Sequence, residues 1–126
     1  MQTMTTLRKH WPEYVMEAAG LALFMIAAGL FGTLLGDPES AVHQAVASPL
    51  LRRALMGLAM GLTAVGIIYS PWGKQSGAHL NPATTLTFLR LGKIAPRDAC
   101  GYVAAQFLGG VFGVYVVGAL LECRFL

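Results

Sequence analysis

Three long apolar runs mark out the chain, each bounded by charged or turn-forming residues. The first, Tyr14 to Leu35, carries one charge, Glu17, and no proline. Its uncharged part, Ala18 to Leu35, makes about 27 Å of helix against a hydrocarbon core of roughly 30 Å. A secretory leader has an apolar core of only about 7–15 residues, so this run reads as a retained transmembrane helix. Gly36-Asp37-Pro38-Glu39 ends it, and a polar loop with one short helical turn runs to Pro49. The second run, Ala54 to Gly73, is free of charge, and Pro71 predicts its end near Tyr69 or Ser70. The third, Ala99 to Leu121, has Gln106 as its one strongly polar side chain. The pattern predicts transmembrane helices over about 14–35, 54–70 and 98–121.

A fourth segment does not fit a plain three-helix bundle. Between the second and third runs stands Ser76-Gly77-Ala78-His79-Leu80-Asn81-Pro82-Ala83-Thr84-Thr85-Leu86-Thr87-Phe88-Leu89-Arg90-Leu91. Asn81 is a good helix cap and Pro82 a good first helical residue. The helix they open ends at Arg90, Gly92 and Lys93, after about nine residues, roughly 14 Å or half a bilayer. Two placements fit the spacing. One is a short amphipathic helix lying at the interface. The other dips into the membrane and returns, putting Asn81 near the midplane and leaving Gly77 to Leu80 as non-helical backbone at depth. Such backbone is tolerated only where it is buried in protein or lines a wet cavity. A half-helix N-terminus also directs a positive dipole to that point, which disfavours cations.

Composition agrees with a membrane protein. Hydrophobic residues make up 56% and charged residues 12% of 126 positions, where an ordinary soluble domain has about 25% charged. A soluble domain this short buries too little of its surface to hide so much apolar area. A soluble enzyme, a disulfide scaffold and a disordered tail are thereby excluded. The net charge of +3 is not gathered on one stripe, so no nucleic-acid partner is read from it. Its placement sets topology instead. Arg8, Lys9, Lys74, Arg90, Lys93 and Arg97 fall on one side, and Arg52, Arg53 and Arg124 on the other. That predicts three spans with the N-terminus cytoplasmic. Cys100 and Cys123 lie on one helix about 35 Å apart, too far to pair. Gly57 and Gly61 form a GxxxG pair, and Ala105, Gly109 and Gly113 a second small-residue face; both allow close helix approach in lipid.

The segment Ser76-Gly77-Ala78-His79-Leu80-Asn81-Pro82-Ala83-Thr84-Thr85-Leu86 closely resembles the first signature loop of the major intrinsic protein family, the aquaporins and aquaglyceroporins. Glu17 is similar to that family's first-helix glutamate, and Ala105-Gln106 with Gly109-Gly110 to its third-helix pattern. From about Glu13 to Leu121 the order matches helix one, helix two, the re-entrant half-helix and helix three. The resemblance implies an all-α membrane fold over residues 1–126. It comprises three transmembrane helices plus one re-entrant half-helix at about 76–91, one half of the family's inverted repeat.

The resemblance also implies roles. Asn81 would donate its side-chain amide to single-file water or solute, with Pro82 and Ala83 packing the half-helix tip. Backbone carbonyls of Gly77, Ala78 and His79 would form an acceptor ladder, and Glu17 and Gln106 would support that loop. Read without the family, Glu17 could equally snorkel to the interface and Gln106 could bridge two helices. His79 has no ligand-type cluster near it in sequence, so neither a metal site nor a proton relay is read there. A helix-two side chain near Met60 or Gly61 falls where the family lines its outer constriction.

Family members carry two such halves in opposite orientation, each with its own NPA half-helix. One NPA stands here, and neither a second one nor the arginine that comes after it is found in the sequence. The expected function is a passive channel module for water or small neutral solutes such as glycerol, incomplete without a second NPA-bearing half. The end just past helix three predicts the N-terminal half of a longer or split channel. The alternatives are a non-conducting truncated fragment and a dual-topology homodimeric pore, which the basic-residue bias opposes. No enzyme chemistry, cofactor or metal is expected: the sequence has no nucleophile–base pair and no phosphate loop. Expected partners are the bilayer, the solute, and a second half or other copies, as a tetramer if completed. The expected place is the plasma (inner) membrane.

Overall fold

The computed structural model describes the backbone of residues 2–121 and the side chains of residues 8–121; Cys123 and Arg124 lie outside the described residues. Within them every regular element is helical: α1 (Gln2–Gly36), α2 (Ala41–Ala45), α3 (Pro49–Tyr69), α4 (Pro71–Ser76), α5 (Pro82–Arg90) and α6 (Pro96–Leu120). Three stretches are long and apolar enough to cross a membrane: Arg8–Gly36, Pro49–Tyr69 and Pro96–Leu120.

The helices start earlier than the apolar runs do. α1 begins at Gln2 rather than Tyr14 and carries Pro12 inside it. α3 begins at Pro49 rather than Ala54, with Ser48 capping the Leu51 N–H. α6 begins at Pro96. The runs mark the stretch that lipid can accept, whereas caps and prolines mark where the backbone turns helical. α4 is a further element that the hydrophobic pattern does not show. Ser70 accepts from the Gly73 N–H at 3.0 Å and Pro71 opens the first turn, repeating the signal of Ser48-Pro49 and Asn81-Pro82.

α1 packs chiefly along α6, and more sparsely on α3 and α4. The close pair results from small residues. A Cβ placed on Gly109 would meet the Ala18 carbonyl oxygen and lie 2.6 Å from the Ala18 Cα; one on Gly113 would lie 2.8 Å from the Ala22 Cα. Only glycine lets the two backbones come this near. The GxxxG pair of α3 behaves otherwise. Among the described residues, nothing lies within 4 Å of a Cβ built on Gly57 or Gly61, so that pair brings no neighbouring helix close there. No residue of α3 is buried. The core is therefore the α1–α6 seam: Ala22, Ala99, Tyr102, Ala105 and Val117 around the polar residues Glu17, Thr85 and Gln106.

Candidate functional site: a carboxylate-held loop and half-helix

α4 ends at Gly77, whose φ of 90° is left-handed and favours glycine. Ala78 and Leu80 come next at φ 47° and 54°, a conformation that costs a non-glycine residue about 1–3 kcal/mol each. Glu17 holds this backbone in place. Its Oε1 accepts from the His79 N–H and from the Ser76 hydroxyl, each at 2.9 Å. Its Oε2 accepts from the Leu80 N–H at 2.8 Å and from Gln106 Nε2 at 3.0 Å. The Ala78 N–H donates to Ser76 Oγ at 3.0 Å. Glu17 is fully buried, so it does not snorkel to an interface.

These donors decide where the acceptors point. No peptide bond among the described residues is cis, and in a trans peptide the C=O and the next N–H are antiparallel. The N–H groups of Ala78, His79 and Leu80 all turn inward, toward Ser76 and Glu17. The carbonyls of Gly77, Ala78 and His79 consequently turn the opposite way, outward. Gly77 is exposed there, and Ala78, His79 and Leu80 are half-exposed.

α5 begins where this ladder ends. Asn81 Oδ1 caps the Ala83 N–H at 2.8 Å, which leaves the Nδ2 end of the amide free to donate away from the helix. Asn81 and Ala83 are exposed and Pro82 half-exposed. On its other face α5 buries Thr85 completely. Thr85 Oγ1 lies 3.0 Å from Gln106 Nε2 and 2.9 Å from His79 Nδ1. The Thr85 hydroxyl accepts from Gln106 and keeps its proton and a second lone pair for the His79 ring nitrogen. The imidazole also stacks on Phe88, with ring centroids 4.7 Å apart, and meets the edge of Tyr102 at 5.0 Å. Tyr102 donates its hydroxyl to the Ser76 carbonyl at 2.5 Å.

The structure thus brings Glu17, Gln106 and the Gly77–His79 backbone into one network, with Asn81, Pro82 and Ala83 at its open end. Gln106 donates to Glu17 and Thr85 rather than to the loop backbone, and acts on the loop through them. Sequence reading missed Ser76, Thr85 and Tyr102. Each is a hydroxyl in otherwise apolar surroundings, which must find a partner when buried, and that was the available signal. An apolar groove of about 960 Å³ runs between α1 and α3 and opens beside Ala78 and Leu80. Among the described residues, no group of three or more His, Cys, Asp or Glu is placed to hold a metal ion.

The family model for major intrinsic proteins matches residues 4–124. The chain belongs to the major intrinsic protein family. Its all-helical architecture is one half of the aquaporin-like fold, that of an integral membrane protein. It is similar to an aquaporin of Encephalitozoon cuniculi, with 31% identity over 122 residues, 97% of this chain and 42% of that one. An aquaporin of Encephalitozoon hellem shares 34% identity over 103 residues, 82% of this chain and 37% of that one. The aquaporin AqpM of Methanothermobacter marburgensis shares 37% over 68 residues, 54% of this chain and 26% of that one. The chain spans about two fifths of the length of the relatives that it matches over most of its own. No solved structure gives a significant match.

Proposed function

We propose that this major intrinsic protein chain forms one wall of a passive channel for water or small neutral solutes such as glycerol. The wall conducts when a second NPA-bearing half faces it. The observation that carries the reading is the outward row of the Gly77, Ala78 and His79 carbonyls, ending at the free amide end of Asn81. A neutral molecule with hydroxyl groups accepts from that amide and donates to the carbonyls in turn. A cation meets the positive end of α5 at the same point. Such a row completes a pore only when another surface closes it, because the wall lies open on its solute side. Channel chemistry of this kind involves no enzymatic step.

The same reading puts the N-terminus in the cytoplasm and the chain in the plasma (inner) membrane. It allows assembly with other copies as a tetramer. Support comes from the basic residues Lys74, Arg90, Lys93 and Arg97, which flank α4, α5 and the start of α6 on the side of Arg8 and Lys9.

Stopped-flow shrinkage of proteoliposomes tests the reading. The chain is reconstituted alone and together with a second NPA-bearing half from another family member, with empty vesicles alongside. Faster shrinkage of the paired sample, lost in Asn81→Asp at equal incorporation, supports it. Shrinkage at the empty-vesicle rate in every combination overturns it. Fast shrinkage by the chain alone would overturn the need for a second half and point to a homodimeric pore.

A further inference from the structure

The turn between α5 and α6 gathers three cations that the fold does not use. α5 ends in a Schellman motif. Gly92, at φ 68°, donates its N–H to the Leu89 carbonyl at 3.1 Å, and the Lys93 N–H reaches the Phe88 carbonyl at 2.9 Å. These bonds fix the backbone of the turn, and Arg90, Lys93 and Arg97 stand exposed on it or at its edge. Among the described residues, none of the three side chains has an ion pair or a hydrogen bond. The neighbouring acid is turned away from them. Asp98 Oδ1 accepts from the Tyr14 hydroxyl at 2.6 Å and lies 2.7 Å from His10 Nδ1, both on α1. Arg52 makes the contrast: it donates to the Val46 and Ala47 carbonyls at 2.7 and 3.1 Å, so its charge serves a loop of the chain itself. An apolar side chain sits among the free cations. Leu91 is 63% exposed between Arg90 and Lys93. Arg97 is the second residue of the stretch Pro96–Leu120 that is long and apolar enough to cross a membrane. The turn therefore lies where hydrocarbon gives way to headgroups.

We propose that this turn binds the headgroup of an anionic phospholipid. Arg90, Lys93 and Arg97 donate to its phosphate oxygens, and Leu91 enters the acyl boundary beneath. Phosphate accepts from several donors at once, and the guanidinium fork suits it. A soluble anion would leave Leu91 in water. A zwitterionic lipid would bring a cation of its own to an already cationic patch. A bias of basic residues toward one side of the membrane requires only that they lie on that side. Capture of a headgroup requires them together, unpaired and beside an apolar anchor, as they are here. The inference goes beyond the channel reading and does not depend on it.

Native mass spectrometry of the full chain in detergent tests the proposal. The chain is titrated with dioleoyl phosphatidylglycerol, with dioleoyl phosphatidylcholine and with glycerol phosphate, which has the anionic group without the acyl chains. The expected result is binding of phosphatidylglycerol about tenfold or more tighter than of phosphatidylcholine, because each cation near an anionic surface is worth about a fivefold change. The triple variant Arg90→Gln, Lys93→Gln, Arg97→Gln should lose that preference while its melting temperature without added lipid holds, since the three side chains make no contact that the fold needs. The triple variant Arg8→Gln, Lys9→Gln, Lys74→Gln loses the same charge elsewhere and should keep most of the preference. Equal affinity of the parent for the two lipids overturns the proposal. So does a preference that survives in the turn variant, or one that falls as far in the control as in the turn variant. Binding of glycerol phosphate as tight as that of phosphatidylglycerol assigns the turn to a soluble anion and overturns the lipid site.

Discussion

The Glu17 carboxylate accepts the backbone N–H of His79 at 2.9 Å, across 62 positions of sequence. This contact ties the middle of a membrane-spanning helix to a loop whose own conformation is unfavourable. Two of the four residues from Gly77 to Leu80 are non-glycine residues at positive φ. The loop keeps that shape because the carboxylate gathers its N–H groups, and by the same act the carbonyls are turned outward. Fold stability and the outward wall therefore depend on one side chain.

Glu17→Gln should act mainly on stability. The amide keeps one acceptor but aims two N–H groups where two donors already point, at either His79 and Ser76 or Leu80 and Gln106. Leaving buried donors unpaired costs about 1–3 kcal/mol each. A fall in detergent melting temperature and in yield is expected, measured against Glu13→Gln as a half-exposed control. A variant that folds as well as the parent yet loses all transport would instead indicate a titrating role for Glu17.

Asn81→Asp separates capping from donation. Either carboxylate oxygen can cap the Ala83 N–H, so α5 should persist and the melting temperature should change little. What disappears is the amide donor, replaced by a charge at the wall. With a second half present, water permeability should fall by about tenfold, the equivalent of one hydrogen bond of about 1.4 kcal/mol. Osmotic shrinkage at matched incorporation measures this, and unchanged flux would remove Asn81 from the solute path.

Local rules made the half-helix legible. Asn81-Pro82 announces its start, and the apolar length before Arg90 its span, because capping and proline geometry act within a few residues. The same Ser-Pro signal announces α4 and the early start of α3, but the hydrophobic pattern reports lipid contact and masks it. What the sequence left open was long-range. Whether Glu17 snorkels or supports depends on Ser76, His79 and Leu80, about sixty residues away, and no local pattern carries that. The two small-residue faces show the same limit. Gly57–Gly61 and Gly109–Gly113 look alike in sequence, yet among the described residues the second meets a neighbouring backbone and the first does not.

That difference is measurable. Gly109→Ala drives a Cβ into the Ala18 backbone, where neither helix can yield without opening the seam. A loss of about 1–3 kcal/mol is expected. Gly57→Ala meets nothing within 4 Å and replaces a poor helix former, so stability should hold or rise by about 0.5–1 kcal/mol. Denaturant or thermal unfolding of the two variants in the same detergent compares them. Equal loss in both would mean that α3 also packs through its glycines.

Orientation can be decided by labelling at two exposed positions, Glu39 between α1 and α2 and Lys93 between α5 and α6. Each is replaced by cysteine in a Cys100→Ser, Cys123→Ser background. α1 leads from the N-terminus to Glu39, and α3 leads back, so the two positions lie on opposite sides of any membrane that the three long helices cross. The basic residues beside Lys93 favour the cytoplasm for that end. A membrane-impermeant maleimide added to intact cells should label Glu39→Cys alone, and Lys93→Cys should react only after the cells are opened. A homodimeric pore from one sequence needs both orientations, which would appear as partial labelling at both positions from outside. Single-sided labelling leaves a distinct second half as the surface that closes the wall.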